Sequence, residues 1–132
     1  MVLKNVAFTN CTIGDEFQSN YPNGGALSIK NSGLILSNSV FQRVIGHNGA
    51  CVYSESDFQQ SSSRRLLTSA KLKTTISNCR FLNNEARKFG GVLYLKDVDS
   101  QIQNSEFLEN NAKKGGVVYA NTRNKDRTVY IQ

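Results

Sequence analysis

Nowhere in the 132-residue chain do about 18 apolar residues follow one another, so the sequence offers no membrane-crossing helix. The opening Met1-Val2-Leu3-Lys4-Asn5 also lacks the apolar core of about 7–15 residues that marks a secretory signal. Cysteine is scarce and odd in number, and three residues cannot close a disulfide framework. The spacing predicts three free thiols: Cys11 and Cys79 fall two repeats apart, and Cys51 reads as a small core residue level with Leu27, Leu93 and Val118. His47, the one histidine, has no Cys/His spacing that makes a zinc site and reads as an exposed turn residue. Proline occurs once and glycine ten times among many Asn, Ser and Thr, which suits short strands and tight turns. No segment sustains apolar residues at i, i+3, i+4 and i+7, which argues against helical repeats.

Clustered carboxylates are missing too. A carbohydrate-active site on stacked strands needs them on neighbouring repeats, commonly beside Arg, Lys, His or Ca²⁺. Asp97 and Asp99 come nearest to a pair, but no second pair stands at the matching place, and a solvated turn is the plainer reading. The expectation is therefore no catalytic residue, no metal and no cofactor. The net charge of +6 is modest and scattered; it admits an acidic partner without requiring one. The single sequon, Asn10-Cys11-Thr12, assigns no compartment.

What the chain does contain is a phrase that recurs. ISNCRFLNNEARKFGGVLYL begins at Ile76, and IQNSEFLENNAKKGGVVYA repeats it from Ile102. The element apolar-x-Asn-x-x-Phe occurs four times, at Leu3/Asn5/Phe8, Leu36/Asn38/Phe41, Ile76/Asn78/Phe81 and Ile102/Asn104/Phe107. A glycine step and an apolar run follow each copy. In the second copy Asn48 is read at the place of the first glycine, since Asn tolerates a left-handed backbone. Self-similarity at a fixed period is the signature of stacked repeats.

The Phe-to-Phe intervals are 33, 40 and 26 residues. Taking 26 as the bare unit leaves about seven extra residues (33 − 26) and about fourteen (40 − 26), placed within 14–23 and 54–73. Insertions of this kind emerge as loops on one face, often the binding face. Residues 128–132 read as the first strand of a truncated fifth unit. The whole chain, 1–132, is thus expected to be one segment of a longer solenoid, uncapped at both ends.

Units of about 26 residues with short alternating runs point to an all-β fold: a parallel β-helix of about four coils, roughly 20 Å tall. A leucine-rich repeat is the runner-up, but its Leu-x-x-Leu-x-Leu core is absent. Stacking would make an internal column of Phe8, Phe41, Phe81 and Phe107, and an aliphatic ladder of Leu3, Leu36, Ile76 and Ile102. Asn5, Asn38, Asn78 and Asn104 would share that ladder's face, and their amides, if buried, would hydrogen-bond one another and the turns.

The phrases FLNNEARKFGGVLY and FLENNAKKGGVVY resemble the Phe-x-x-Asn and Gly-Gly-Ala-Ile repeats of chlamydial polymorphic outer-membrane proteins. They are still more similar to repeats of ciliate surface proteins with a pectin-lyase-like fold. The resemblance implies a right-handed, single-stranded parallel β-helix, extracellular or lumenal, used in adhesion or as a stalk, with no shared catalytic residues.

One local feature stands apart. Arg87-Lys88 and Lys113-Lys114 both lie six and seven residues after a repeat Phe, so stacking gathers four cations at one corner. Such a corner suits a phosphate, a sulfated glycan or an acidic partner, and two solvated turns are the bland alternative. Arg64 and Arg65, in the longer insertion, are further binding candidates. No aromatic residue is read as interleaving with the cations, so no nucleic acid is expected. The functional expectation is a non-catalytic structural or adhesion segment presenting a surface to other protein chains or further coils, with an acidic glycan as a possible ligand. The alternatives are the non-catalytic part of a polysaccharide-active β-helix enzyme and a polyanion-binding module using the basic corner.

Overall fold

The computed structural model describes residues 1–13, 23–56, 72–123 and 127–132. Most of both expected insertions lies outside the described residues, as do Arg64 and Arg65.

Among the described residues the chain forms strands of three to five residues and no helix. The first repeat supplies β1 (Val2–Lys4), β2 (Ala7–Thr9) and β3 (Leu27–Lys30). The second supplies β4 (Leu34–Ser37), β5 (Val40–Gln42), β6 (Ile45–Asn48) and β7 (Val52–Glu55). The third contributes β8 (Lys73–Ser77), β9 (Arg80–Leu82), β10 (Glu85–Phe89) and β11 (Leu93–Lys96). The fourth contributes β12 (Asp99–Gln103), β13 (Glu106–Leu108), β14 (Asn111–Lys114) and β15 (Val118–Asn121), and β16 (Val129–Ile131) follows. Each repeat therefore spends its apolar residues in short alternating runs. In β3, Leu27 and Ile29 are buried while Ser28 and Lys30 are exposed.

Equivalent strands pair in parallel across repeats. Four sheets result, in the orders β1-β4-β8-β12-β16, β2-β5-β9-β13, β6-β10-β14 and β3-β7-β11-β15. The fold is all-β with parallel sheets, consistent with a parallel β-solenoid. The first sheet sets Leu3, Leu36, Ile76, Ile102 and Ile131 in one register, and the second sets Phe8, Phe41, Phe81 and Phe107 in another. Their rings stack at centroid distances of 4.9, 5.1 and 5.0 Å, with interplanar angles of 18°, 19° and 6°. That rise is close to the inter-strand spacing of about 4.8 Å, so the backbone ladder itself brings the rings into contact. Phe41 and Phe81 are wholly buried.

The chain turns between sheets on single left-handed residues. Asn5, Asn38, Asn78 and Asn104 have φ of 56°, 50°, 52° and 48°, and all four are exposed. They are corner residues and do not form the buried amide ladder expected from their place three before Phe. The reason is steric: Asn is among the few residues that tolerate φ > 0. The corner N–H groups of Asn38 and Asn78 donate to Ser77 O and Gln103 O of the next repeat at 3.1 Å, so the backbone ladder runs on around the bend. Asn78→Gly is expected to leave stability within about 0.5 kcal/mol, and Asn78→Val to cost about 1–2 kcal/mol. Urea unfolding of both variants checks this; equal costs would show that the side chain, and not the backbone angle, matters.

The glycine corner shifts one further expectation by a residue. The left-handed positions are Gly24, Gly49, Gly90 and Gly115, with φ of 81°, 64°, 63° and 64°. Gly49, not Asn48, is thus the second repeat's first glycine, and Ala50 fills the second place. That repeat carries Gly46 where the third and fourth have Ala86 and Ala112. A Cβ on Gly46 would come within 2.8 Å of the Ala50 Cα and 3.0 Å of the Gly25 N, so the surrounding backbone excludes a methyl group there. The same shift puts Cys51 level with Ala26, Val92 and Val117, because Leu27, Leu93 and Val118 register with Val52 and its neighbours. Cys51 remains a fully buried apolar residue, and all three cysteines are free.

Candidate functional site

The cations of the third and fourth repeats lie on β10 and β14. Ala86 registers with Ala112, but Phe89 registers with Lys114 and Asn48, so β10 carries one extra residue between those pairs. This bulge breaks the one-to-one alignment of Arg87-Lys88 with Lys113-Lys114. It does not disperse them. Arg87, Lys88, Lys113 and Lys114 line one cleft of 310 Å³ together with His47 and Phe89. Bulges commonly re-aim side chains in this way.

Two features of the cleft differ from the sequence reading. An aromatic ring does sit among the cations: the Lys88 ammonium lies 5.1 Å from the Phe89 ring centroid and that of Lys114 6.0 Å. Phe89 in turn stacks on Tyr119 at 4.5 Å, beside a column in which Tyr53, Tyr94 and Tyr119 stack at 5.1 and 5.4 Å. The cations are thus held over a ring that is itself braced, at about 0.5–1 kcal/mol for each exposed cation–ring contact. His47, expected in an exposed turn, lies in β6 and is half-buried in the cleft. Burial first, then the charges of Lys88, Arg87 and Lys113, hold its imidazole below its usual range. An anion bound beside it would offset those charges and raise it again.

Beside the tyrosine column, β3, β7 and β11 register Lys30, Glu55 and Lys96. Glu55 Oε2 lies 3.7 Å from the Lys30 ammonium and accepts the Tyr53 hydroxyl at 2.7 Å, and Oε1 pairs with Lys96. Burial pushes this carboxyl up, but the bonds from Lys96 and Tyr53 and the charges of Lys96 and Lys30 outweigh it, and the net shift is downward. The alternation of sign along this column removes it as an anion site.

Asp97 and Asp99 are occupied by structure, not left as a solvated turn. Asp97 is a buried left-handed corner whose Oδ1 accepts the Arg123 N–H at 2.6 Å. Asp99 accepts the Thr128 N–H at 3.0 Å and pairs with Arg127 at 3.3 Å. A groove of 610 Å³ adjoins Asp99, Gln101 and Tyr130, where Lys73 donates to Gln101 at 2.6 Å. Among the described residues, no three His, Cys, Asp or Glu side chains group as metal ligands, and no helix is long and apolar enough to cross a membrane.

The buried polar ladder stands at the Asn of the Phe-x-x-Asn phrase, three residues after Phe and not three before it. Asn84 Oδ1 accepts the Val44 N–H at 3.0 Å, and its Nδ2 donates to Phe41 O at 3.1 Å and to Asn110 Oδ1 at 2.9 Å. Asn110 repeats the gesture, donating to Phe81 O at 2.9 Å. Two before Phe, Ser39 and Ser105 accept the N–H of Val6 and Cys79 at 3.3 and 3.2 Å. In LNN the doubled Asn serves both places, Asn83 at the left-handed corner and Asn84 in the ladder, whereas in ENN the corner is Glu109 and Asn110 is the ladder residue.

Comparison with protein-family models, curated proteins and solved structures finds no match.

Proposed function

We propose that the chain is a non-catalytic structural segment of a right-handed, single-stranded parallel β-helix of the pectin-lyase-like kind. It belongs to an extracellular or lumenal protein of adhesion or stalk type and presents its side to other protein chains. One observation carries this reading: equivalent side chains of successive repeats stand in register on four parallel sheets, with Phe over Phe and Tyr over Tyr. A surface built this way is preorganised, so a partner meets ordered side chains without an ordering cost on this side.

The test is adhesion of beads coated with the chain to cells of its source, with reducing ends of added acidic polysaccharides followed in parallel. Adhesion that is lost when surface proteins are stripped by protease, with no new reducing ends, is the expected result. Adhesion indifferent to stripping, or polysaccharide cleavage, overturns the reading.

A second reading has an observation of its own. Four cations and a histidine line one cleft, which supports polyanion binding at the basic corner.

A further inference from the structure

Positive charge in the cleft is concentrated beyond what scattered surface lysines provide. Three ammonium groups and a guanidinium share 310 Å³ with His47, and among the described residues no carboxylate is part of the lining. Burial first, and after it the charges of Lys88, Arg87 and Lys113, hold the His47 imidazole below its usual range. The cations come from consecutive repeats, Arg87 and Lys88 from β10 and Lys113 and Lys114 from β14, so positive charge spans one inter-strand step, with His47 of β6 on the far side of β10.

The geometry narrows the class of anion. Phe89 has Tyr119 stacked on it and the ammonium groups of Lys88 and Lys114 over it, which leaves it as a brace for the lysines and not as a platform for a nucleobase. Recognition therefore runs through point charges. Donors converging from two repeats match a group with three terminal oxygens better than a carboxylate with two. Lysine predominates over arginine, which favours a solvated, densely charged polymer over a bidentate phosphopeptide contact. Resting on the polyanion reading above, we propose that the basic corner binds the tetrahedral ester oxyanions of a sulfated or phosphorylated carbohydrate chain, laid along the repeat axis across β10 and β14.

The test uses the 132-residue chain and four probes: a heparin-derived oligosaccharide, the same oligosaccharide desulfated, a phosphorylated oligomannoside and oligo(dT). Desulfation is expected to weaken binding at least tenfold. Lys113→Gln with Lys114→Gln should weaken it at least tenfold as well, while Lys4→Gln with Arg123→Gln, an equal loss of charge elsewhere, should change it less than twofold. Comparison of the oligomannoside with the heparin fragment tells which ester is preferred. In the unaltered chain, saturating sulfated ligand should move the His47 titration, followed by NMR, to higher pH. Binding to no probe overturns the polyanion reading itself. Binding that ignores desulfation, favours oligo(dT), falls equally with both variant pairs or leaves His47 unmoved overturns the ester assignment alone.

Discussion

Phe81→Ala is expected to lower the unfolding free energy by about 3–5 kcal/mol, the range for removing a fully buried aromatic side chain. Phe81 is wholly buried and touches rings on both sides, Phe41 at 5.1 Å and Phe107 at 5.0 Å. Those neighbours are held at the strand spacing by parallel pairing, so the column cannot collapse into the vacated space, and the cavity term stays near its upper end. Leu108→Ala serves as the control: it follows Phe107 in β13 but is 51% exposed, and a change within about 0.5 kcal/mol is expected. Urea unfolding by circular dichroism measures both. Similar losses from Phe81 and Leu108 would mean that the ring column does not carry the core.

The second large effect is predicted at Asn84, only 1% exposed. Its alanine variant leaves the Val44 N–H without its partner inside the core, while the Phe41 carbonyl loses its side-chain donor but keeps its place in the parallel β5–β9 ladder. The unsatisfied buried N–H sets an expected cost of about 1–3 kcal/mol. Asn110→Ala should cost less, since Asn110 is half-buried and water reaches its partners. Asn84→Asp adds a test of sign. A protonated carboxyl can donate to Phe41 O, whereas a carboxylate would face that carbonyl and Asn110 Oδ1, so the folded pKa should rise above the unfolded value of about 3.9. Its stability is then greatest below that pH and is lost as pH rises through the folded pKa. A pH-independent cost for Asn84→Asp would show that the site is wetter than its burial implies.

The four cations of the candidate site were legible in the sequence, but not its ring or its histidine. The pairs Arg87-Lys88 and Lys113-Lys114 share an offset from Phe, which is why stacking could gather them. The offset hides one residue, however: the third repeat reads KFGG where the fourth reads KKGG. Counting from Phe aligns the pairs, but counting back from the glycine corner aligns Phe89 with Lys114, and the backbone obeys the corner because a Cβ on Gly90 or Gly115 would come within 2.5 Å of the Leu93 or Val118 carbonyl oxygen. The bulge absorbs the difference and brings Phe89 beneath the lysines. His47 escaped the sequence reading for a similar reason, since a lone histidine has no periodic partner to declare its place.

The sequence alone determined the repeat and its interior register. Leu3, Leu36, Ile76 and Ile102, and the four phenylalanines, recur at a spacing that buries them together only if equivalent strands pair in parallel, and hydrophobic burial favours that pairing over any slipped one. Which asparagine turns the chain and which fills the core was a tertiary decision. Asn78 and Asn84 are chemically the same residue, three before and three after Phe81; one meets solvent at a positive φ, the other meets the Val44 N–H and the Phe41 carbonyl in the interior. Amide side chains satisfy either demand, so their role is set by the backbone angle and by the donors and acceptors that the neighbouring repeat leaves open.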